Sequence, residues 1–233
     1  MRVLVIDVGG THVKMLVTDE HEPRRFDSGR DLTPESLIER VRSATSDWIY
    51  NHVSLGYPGE VGVEGPEEEP GNLGRGWLDF DFESAFACPV RVVNDAAMQA
   101  LGGYDGGRML FLGLGTGLGS ALVADRVVIS LELGCLRSNG GETLADRLGR
   151  KGRERHGHAA WERVLAETVE MLHKAFGADY VLLGGGNSRL VEHLPEHARR
   201  GGNDDAFAGG FRLWEEAVQP HDRAPSSAWR VVP

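Results

Sequence analysis

Asp7, Thr11 and Lys14 stand around Gly9-Gly10 in the segment DVGGTHVK. A carboxylate able to face a Mg²⁺ ion or its water shell, a hydroxyl, an ammonium and exposed glycine N–H groups are the parts of a phosphate site. Gly113-Leu-Gly115-Thr116-Gly117-Leu-Gly119 is a second run of this kind, with backbone donors and the Thr116 hydroxyl. It is not a dinucleotide fingerprint, because that needs a helix next and SALVADRVV is a β pattern. Either turn alone fits a flexible hairpin. Two of them, one in each half and one preceded by Asp7, point to a ligand that carries phosphates.

Other polar groups read more simply on their own. Asn94-Asp95 stands where a strand runs into a helix, the usual place of a helix cap. Arg147, Arg150, Lys151, Arg153 and Arg155 form a basic run in an acidic chain. It reads as a solvated helix face, or as an attractor for a long polyanion if it faces a phosphate site. His156-Gly-His158 lacks further ligands at metal spacing, so no zinc is expected.

The elements that must position these groups follow from hydrophobic pattern and turn chemistry. Residues 2–8 and 13–18 read as antiparallel strands around the first glycine turn. Thr33 caps a helix to about Ile49 with Pro34 at its first position. A strand at 52–57, a loop at 58–76, a strand at 90–93 and a helix at 96–101 complete a first half. The second half starts in the same way: strands at 108–112 and 120–125 flank the second turn, and 126–131 makes a third. A long amphipathic helix at about 159–176, a strand at 180–183, Gly184-Gly185-Gly186, a helix through Val191 and a last helix at 204–218 follow. Residues 219–233 read as a frayed tail.

Composition bounds the class. The chain has 233 residues, 41% hydrophobic and 26% charged, a balance that excludes disordered, collagen-like and disulfide-scaffold proteins. Its formal charge of -10 disfavours nucleic acid, which repels an acidic surface. Cys88 and Cys135 lie far apart, as expected of reduced thiols in the cytoplasm. The longest uncharged run, 109–124, is studded with glycine, so no membrane span is expected.

With these motifs in order from about residue 2 to 218, the sequence resembles the sugar-kinase and actin-like ATPase superfamily, and within it the ROK family. DVGGTHVK is similar to that family's first phosphate motif, GLGTGLGSAL to its second, and LLGGGNS to its adenosine-side motif. LGYPGEV, Asn72-Leu73 with Trp77, VVNDA and NDDAFAGG are similar to its sugar-side, catalytic and closing segments. The resemblance implies an α/β fold of two RNase H-like domains around a central cleft. Residues 1–101 would form the sugar side, joined by the helix at 204–218, and 102–203 the donor side. It implies phosphoryl transfer from ATP or polyphosphate to a hexose such as glucose, with Mg²⁺ held indirectly by Asp7. Asp95 would be the general base. Asp7, Gly9, Gly10, Thr11, Lys14, Gly115, Thr116, Gly117, Gly184 and Gly185 would bind the donor. Gly59, Asn72, Asn94, Glu132 and Glu142 would bind the sugar.

Two departures matter. Glu132 in Leu131-Glu-Leu-Gly-Cys135 resembles the family's E-x-G-H, but Cys135 replaces the histidine, and a thiol is a weak hydrogen-bonding partner. The cysteine cluster that holds zinc in many members is absent. Compact zinc-free members include the polyphosphate glucokinases, which this chain resembles in length and layout. A homodimer is implied. The rival reading is a sugar- or nucleotide-binding regulator that has lost turnover. A DNA-binding repressor is not expected, since no helix-turn-helix segment stands before the strand beginning at Arg2.

Overall fold

The structure, a computed structural model, describes residues 1–124, 127–137, 140–202, 204–215, 218–220 and 228–231. Its first half runs β1 (Val3–Val8), β2 (His12–Val17), β3 (Arg24–Asp27), α1 (Pro34–Ala44), β4 (His52–Tyr57), a small hairpin of β5 (Val61–Gly62) and β6 (Gly65–Pro66), α2 (Phe82–Phe86), β7 (Val90–Asn94) and α3 (Asp95–Gly103). The second runs β8 (Met109–Leu114), β9 (Leu118–Ala124), β10 (Val127–Leu131), α4 (Leu144–Leu148), α5 (Arg150–His156), α6 (His158–Phe176), β11 (Tyr180–Gly184) and β12 (Ala198–Arg200). The chain closes with α7 (Asp205–Arg212), β13 (Val218–Pro220) and β14 (Ala228–Val231).

The two halves repeat one topology. In the first sheet the order is β3-β2-β1-β4-β7, with β1 to β3 antiparallel and β4 and β7 parallel to β1. The second runs β12-β11-β8-β9-β10, again three antiparallel strands and two parallel ones, and β14 and β13 extend its β10 edge. Strands covered on both faces read as continuous apolar runs, and β1 and β8 do. Val3 and Val5 of β1 face α3 and α7, while Leu4, Ile6 and Val8 face the side of α1. In β8, Met109 and Phe111 join the α3 and α7 layer, and Leu110, Leu112 and Leu114 pack with Trp161 and Leu165 of α6. The helix pair α3 and α7 therefore lies between the two sheets.

That central pair is in backbone contact. A Cβ on Gly209 of α7 would lie 1.8 Å from the Met98 carbonyl oxygen, and one on Gly102 of α3 the same distance from that of Asp205. Only glycine permits such an approach. Arg212 then donates to the carbonyls of Leu101 and Tyr104, at 2.7 and 3.1 Å, and Ser54 of β4 donates to the Gly210 carbonyl at 2.6 Å.

Several boundaries differ from the sequence reading. The first helix starts at Pro34 inside a capping box of Thr33 and Ser36, but stops at Ala44, where the Thr45 hydroxyl turns back to the Val41 carbonyl at 2.8 Å. The segment after the three glycines is a 3₁₀ turn, Gly186–Leu190, not an α-helix. The last helix ends at Arg212, and strands occupy 218–220 and 228–231 in the stretch read as helix end and tail. Residues 125 and 126, expected at strand ends, lie outside the described residues, as do Asn203 of NDDAFAGG, 216–217, 221–227 and 232–233. No helix of the described residues is long and apolar enough to cross a membrane.

Candidate functional site

In open sheets with parallel strands, ligands bind outside the carboxyl ends of those strands. Here Asp7 of β1 is in register with Gly56 of β4, and Tyr57 with Asn94 of β7, so the chain leaves all three parallel strands at one edge. The first glycine turn, Gly59 and Asp95 follow directly from those ends. In the second sheet Gly113 is in register with Gly184, and the second glycine turn and Gly185 leave the corresponding edge.

Asp95 opens α3, and its Oδ1 accepts the Ala96 N–H at 2.7 Å. Asn94 is the N-cap: its Oδ1 accepts from the Ala97 N–H at 3.0 Å, and its Nδ2 donates to the Gly59 carbonyl at 3.0 Å. The cap reading therefore holds for Asn94, which fixes the helix start that aims Asp95 and ties it to the loop after β4. Burial, then the negative charge of Asp7 and more weakly that of Glu132, push the Asp95 carboxyl up to about 7. A base near that value works best around neutral pH.

The buried Asp7 carboxylate is 3.5 Å from Lys14 Nζ, its cross-strand partner in β2. Burial raises its pKa even against the nearby ammonium. Two carboxylates that disfavour each other's ionisation, with one cation between strands, suit a divalent ion bound through water and phosphate. The donor set thus fits Mg²⁺. Among the described residues no group of three or more His, Cys, Asp or Glu is placed to hold a metal.

The two turns have different supports. Gly9 donates to the His12 carbonyl at 3.0 Å, and the Ser28 hydroxyl donates to the Gly9 carbonyl at 2.7 Å. The side chain of Asn72 lies against Gly10, since a Cβ there would be 3.7 Å from that of Asn72. In the second turn the Gly115 carbonyl accepts from Asn187 Nδ2 at 3.1 Å and from the Arg150 N–H at 3.0 Å. Gly115 faces open space. Gly185 has φ +74, and a Cβ on it would meet the Leu114 backbone at 2.6 Å, while one on Gly184 would meet the Phe111 ring at 2.4 Å. These two glycines have a packing reason of their own.

The turns meet through one side chain. Arg150 Nη2 donates to Thr11 Oγ1 at 3.2 Å and to Thr116 Oγ1 at 3.0 Å. The sequence placed Arg150 in a basic run without a partner; no local signal announces a contact across 139 positions.

On the other side, buried Ser120 donates to the Leu131 carbonyl at 2.7 Å and accepts the Leu133 N–H at 3.1 Å, fixing the 3₁₀ turn Leu133–Cys135 that Glu132 precedes. Burial raises the Glu132 pKa, and the charges of Glu68 and Glu60 raise it further. Sequence reasoning missed these two. Glu68 Oε1 accepts the Glu60 N–H at 3.3 Å and stands beside Gly59. Cys135 is exposed. Glu142 is paired with Arg155 and lies 3.9 Å from His156, so it reaches the basic helix α5 rather than Glu132 and Glu68.

No family model matches the chain, and no curated protein matches it. Among solved structures it is similar to the inorganic polyphosphate/ATP-glucomannokinase of Arthrobacter sp. strain KM, with a TM-score of 0.77 at 24% identity over 90% of this chain and 96% of that one. It is similar to a ROK hexokinase from Thermus thermophilus, with a TM-score of 0.62 at 20% identity over 90% and 97% of the two chains. A ROK-family glucokinase from Streptomyces griseus, in complex with glucose and AMPPNP, gives 0.63 at 16% identity over 90% and 98%. The structural neighbours are thus ROK-family sugar kinases, and the chain has their α/β fold.

Proposed function

We propose that this chain is a sugar kinase of the ROK type, moving a phosphoryl group from ATP or polyphosphate to a hexose hydroxyl, with glucose the first candidate. The observation that carries the reading is Asp95. It is a carboxylate with a pKa near neutrality at the head of a helix, flanked by a buried carboxylate and by two glycine turns that one arginine spans.

Asp95 would take the proton of the sugar hydroxyl as that oxygen attacks the terminal phosphorus and the bond to the donor's leaving oxygen breaks. The N–H groups of Gly10 and Gly117, with the hydroxyls of Thr11 and Thr116, would hold the phosphate chain, while Gly9 and Gly115, whose N–H groups are spent on the His12 and Gly117 carbonyls, would shape the two turns around it. Gly184 and Gly185 would border it. Asp7 would hold Mg²⁺ through water, with Lys14 beside it; the ion, when bound, supplies positive charge to the phosphate oxygens. Asn72, Glu132 and the Gly59 loop would receive the sugar. Asn94 has one N–H left for it, and Glu142 would have to leave Arg155. The closing helix α7 would belong with the sugar side, 1–101, and 102–203 would form the donor side. A cytoplasmic homodimer without zinc is part of the same reading.

A second reading, a binding protein with weak or no turnover, is favoured by Cys135, which offers a sugar little hydrogen bonding. A coupled assay across hexoses with ATP and with polyphosphate separates the two. Transfer to any hexose supports the kinase. Binding without transfer supports the regulator.

A further inference from the structure

The guanidinium of Arg150 joins the tips of two turns that belong to different sheets, and neither the proton transfer to Asp95 nor the water-held Mg²⁺ at Asp7 involves it. Its position is set by backbone: the Arg150 N–H donates to the Gly115 carbonyl at 3.0 Å, and the preceding Gly149 is pressed so closely on the second turn that a Cβ there would lie 2.5 Å from the Thr116 carbonyl oxygen. The side chain then reaches Thr116 at 3.0 Å and Thr11 at 3.2 Å. Both acceptors are neutral hydroxyls. Among the described residues Arg150 makes no ion pair, whereas Lys14 is beside Asp7 and Arg155 beside Glu142. Of these three cations, the one that spans both turns is the one without an anion among the described residues.

A guanidinium has five donors in a flat fork that matches phosphate oxygens, and charge-assisted bonds to such oxygens are about twice as strong as bonds to neutral acceptors. A phosphate chain laid between the two turns would offer Arg150 the anionic acceptors it lacks while leaving the hydroxyls free to donate. We infer that Arg150 binds the phosphoanhydride chain of the donor across both turns. It recognises linked phosphates rather than a nucleoside. The inference rests on the kinase reading.

Calorimetric titration of the whole protein with inorganic tripolyphosphate, with ATP and with glucose, in the presence of Mg²⁺, tests it for the wild type, Arg150→Ala, Arg150→Lys and Lys151→Ala. Arg150→Ala should weaken binding of a phosphate donor roughly tenfold or more. Glucose affinity and melting temperature should stay near those of the wild type. Arg150→Lys should recover only part of the loss, because an ammonium has no fork. Lys151→Ala, an exposed neighbour of the same charge, should change donor affinity less than about twofold, as expected of a screened surface charge. A loss for tripolyphosphate alone assigns the residue to polyphosphate, and an equal loss for ATP to the phosphates that both donors share. Unchanged affinity of Arg150→Ala for both donors overturns the inference and leaves the kinase reading standing. So does a loss matched by glucose affinity and melting temperature, which would make Arg150 a structural tie. If the wild type binds neither donor, both fall. If it binds donors but phosphorylates no hexose, only the kinase reading falls.

Discussion

The two ends of the candidate site are built by different means. Around the glycine turns, the groups offered to a ligand are the N–H groups of Gly10 and Gly117 and the hydroxyls of Thr11 and Thr116, in turns held by bonds such as Gly9 to His12 and Asn187 to Gly115, and the cations Lys14 and Arg150 stand beside them. Around Glu132, carboxylates of Glu60 and Glu68 converge from the two sides of the β5–β6 hairpin, and Asp95 stands at the junction of the two ends. One end is electropositive in its fixed dipoles and suits phosphate. The other gathers acceptors and suits hydroxyl donors. Between them the carboxyl of Asp95 is buried beside the charges of Asp7 and Glu132, and burial first, then those charges, raise its pKa. The contrast shows why a duplicated fold need not duplicate chemistry. Asp7 pairs across β1 and β2 with Lys14, while the corresponding hairpin of β8 and β9 pairs Leu112 with Ser120 and carries no charge.

Variants that act on one end only should break or sharpen this contrast. The largest effect is expected at the junction: Asp95→Asn keeps the helix start but removes the base, so turnover should fall roughly 10²- to 10⁴-fold while ATP and glucose still bind, as steady-state kinetics and titration would show. At the donor end, Gly10→Ala and Gly117→Ala put a methyl group where the protein itself has room, 3.7 Å from Asn72 and 3.9 Å from Ala145. Donor KM should rise several-fold with little change in sugar KM, and the reverse would mean that the two ends are exchanged. At the acceptor end, Cys135→His adds a group able to bridge sugar hydroxyls. One hydrogen bond contributes about 0.5–1.5 kcal/mol net, so glucose affinity or turnover should improve roughly two- to tenfold. A fall in both, with wild-type activity on another sugar, would remove glucose from the assignment.

The smallest effect concerns stability. Because the folded pKa of Asp95 is raised to about 7 from the ordinary 3.8, the native state holds a proton that the unfolded chain has lost between those values. Stability from this group is full below about pH 4 and is lost as pH rises through 7. Asp95→Asn removes the charge, so it should raise the melting temperature at pH 8 more than at pH 5. Equal shifts at the two pH values would show that the carboxyl is not strained in the fold.

Much of this was legible along the chain because the signals are local. The apolar runs of β1 and β8, the Thr33-Pro34 start of α1 and the glycine turns each depend on neighbours a few residues away. What was not legible depends on distance in sequence or on competition at element ends. Nothing local marks Thr45 as the residue whose hydroxyl ends α1, since Trp48 continues the apolar stripe and is buried after the helix has stopped. Helices α4 and α5 are short and broken by Gly149, so they carry no long periodic pattern. Asp95 was legible as a cap, but the cap proved to be Asn94, and the raised pKa of Asp95 comes first from burial and then from Asp7 and Glu132, all set by parts of the chain remote in sequence. The resemblance supplied its chemistry; the residues alone did not.

The central claim is that Asp95 accepts the proton of the attacking hydroxyl. The pH dependence of kcat/KM for the best hexose, measured from pH 5 to 9 with the donor saturating, tests it most directly. Since the carboxyl must be ionised to act, the wild type should gain activity as pH rises through about 7, and the residual activity of Asp95→Asn should lack that limb. A wild-type profile flat across neutrality, or an identical limb in Asp95→Asn, would contradict the account.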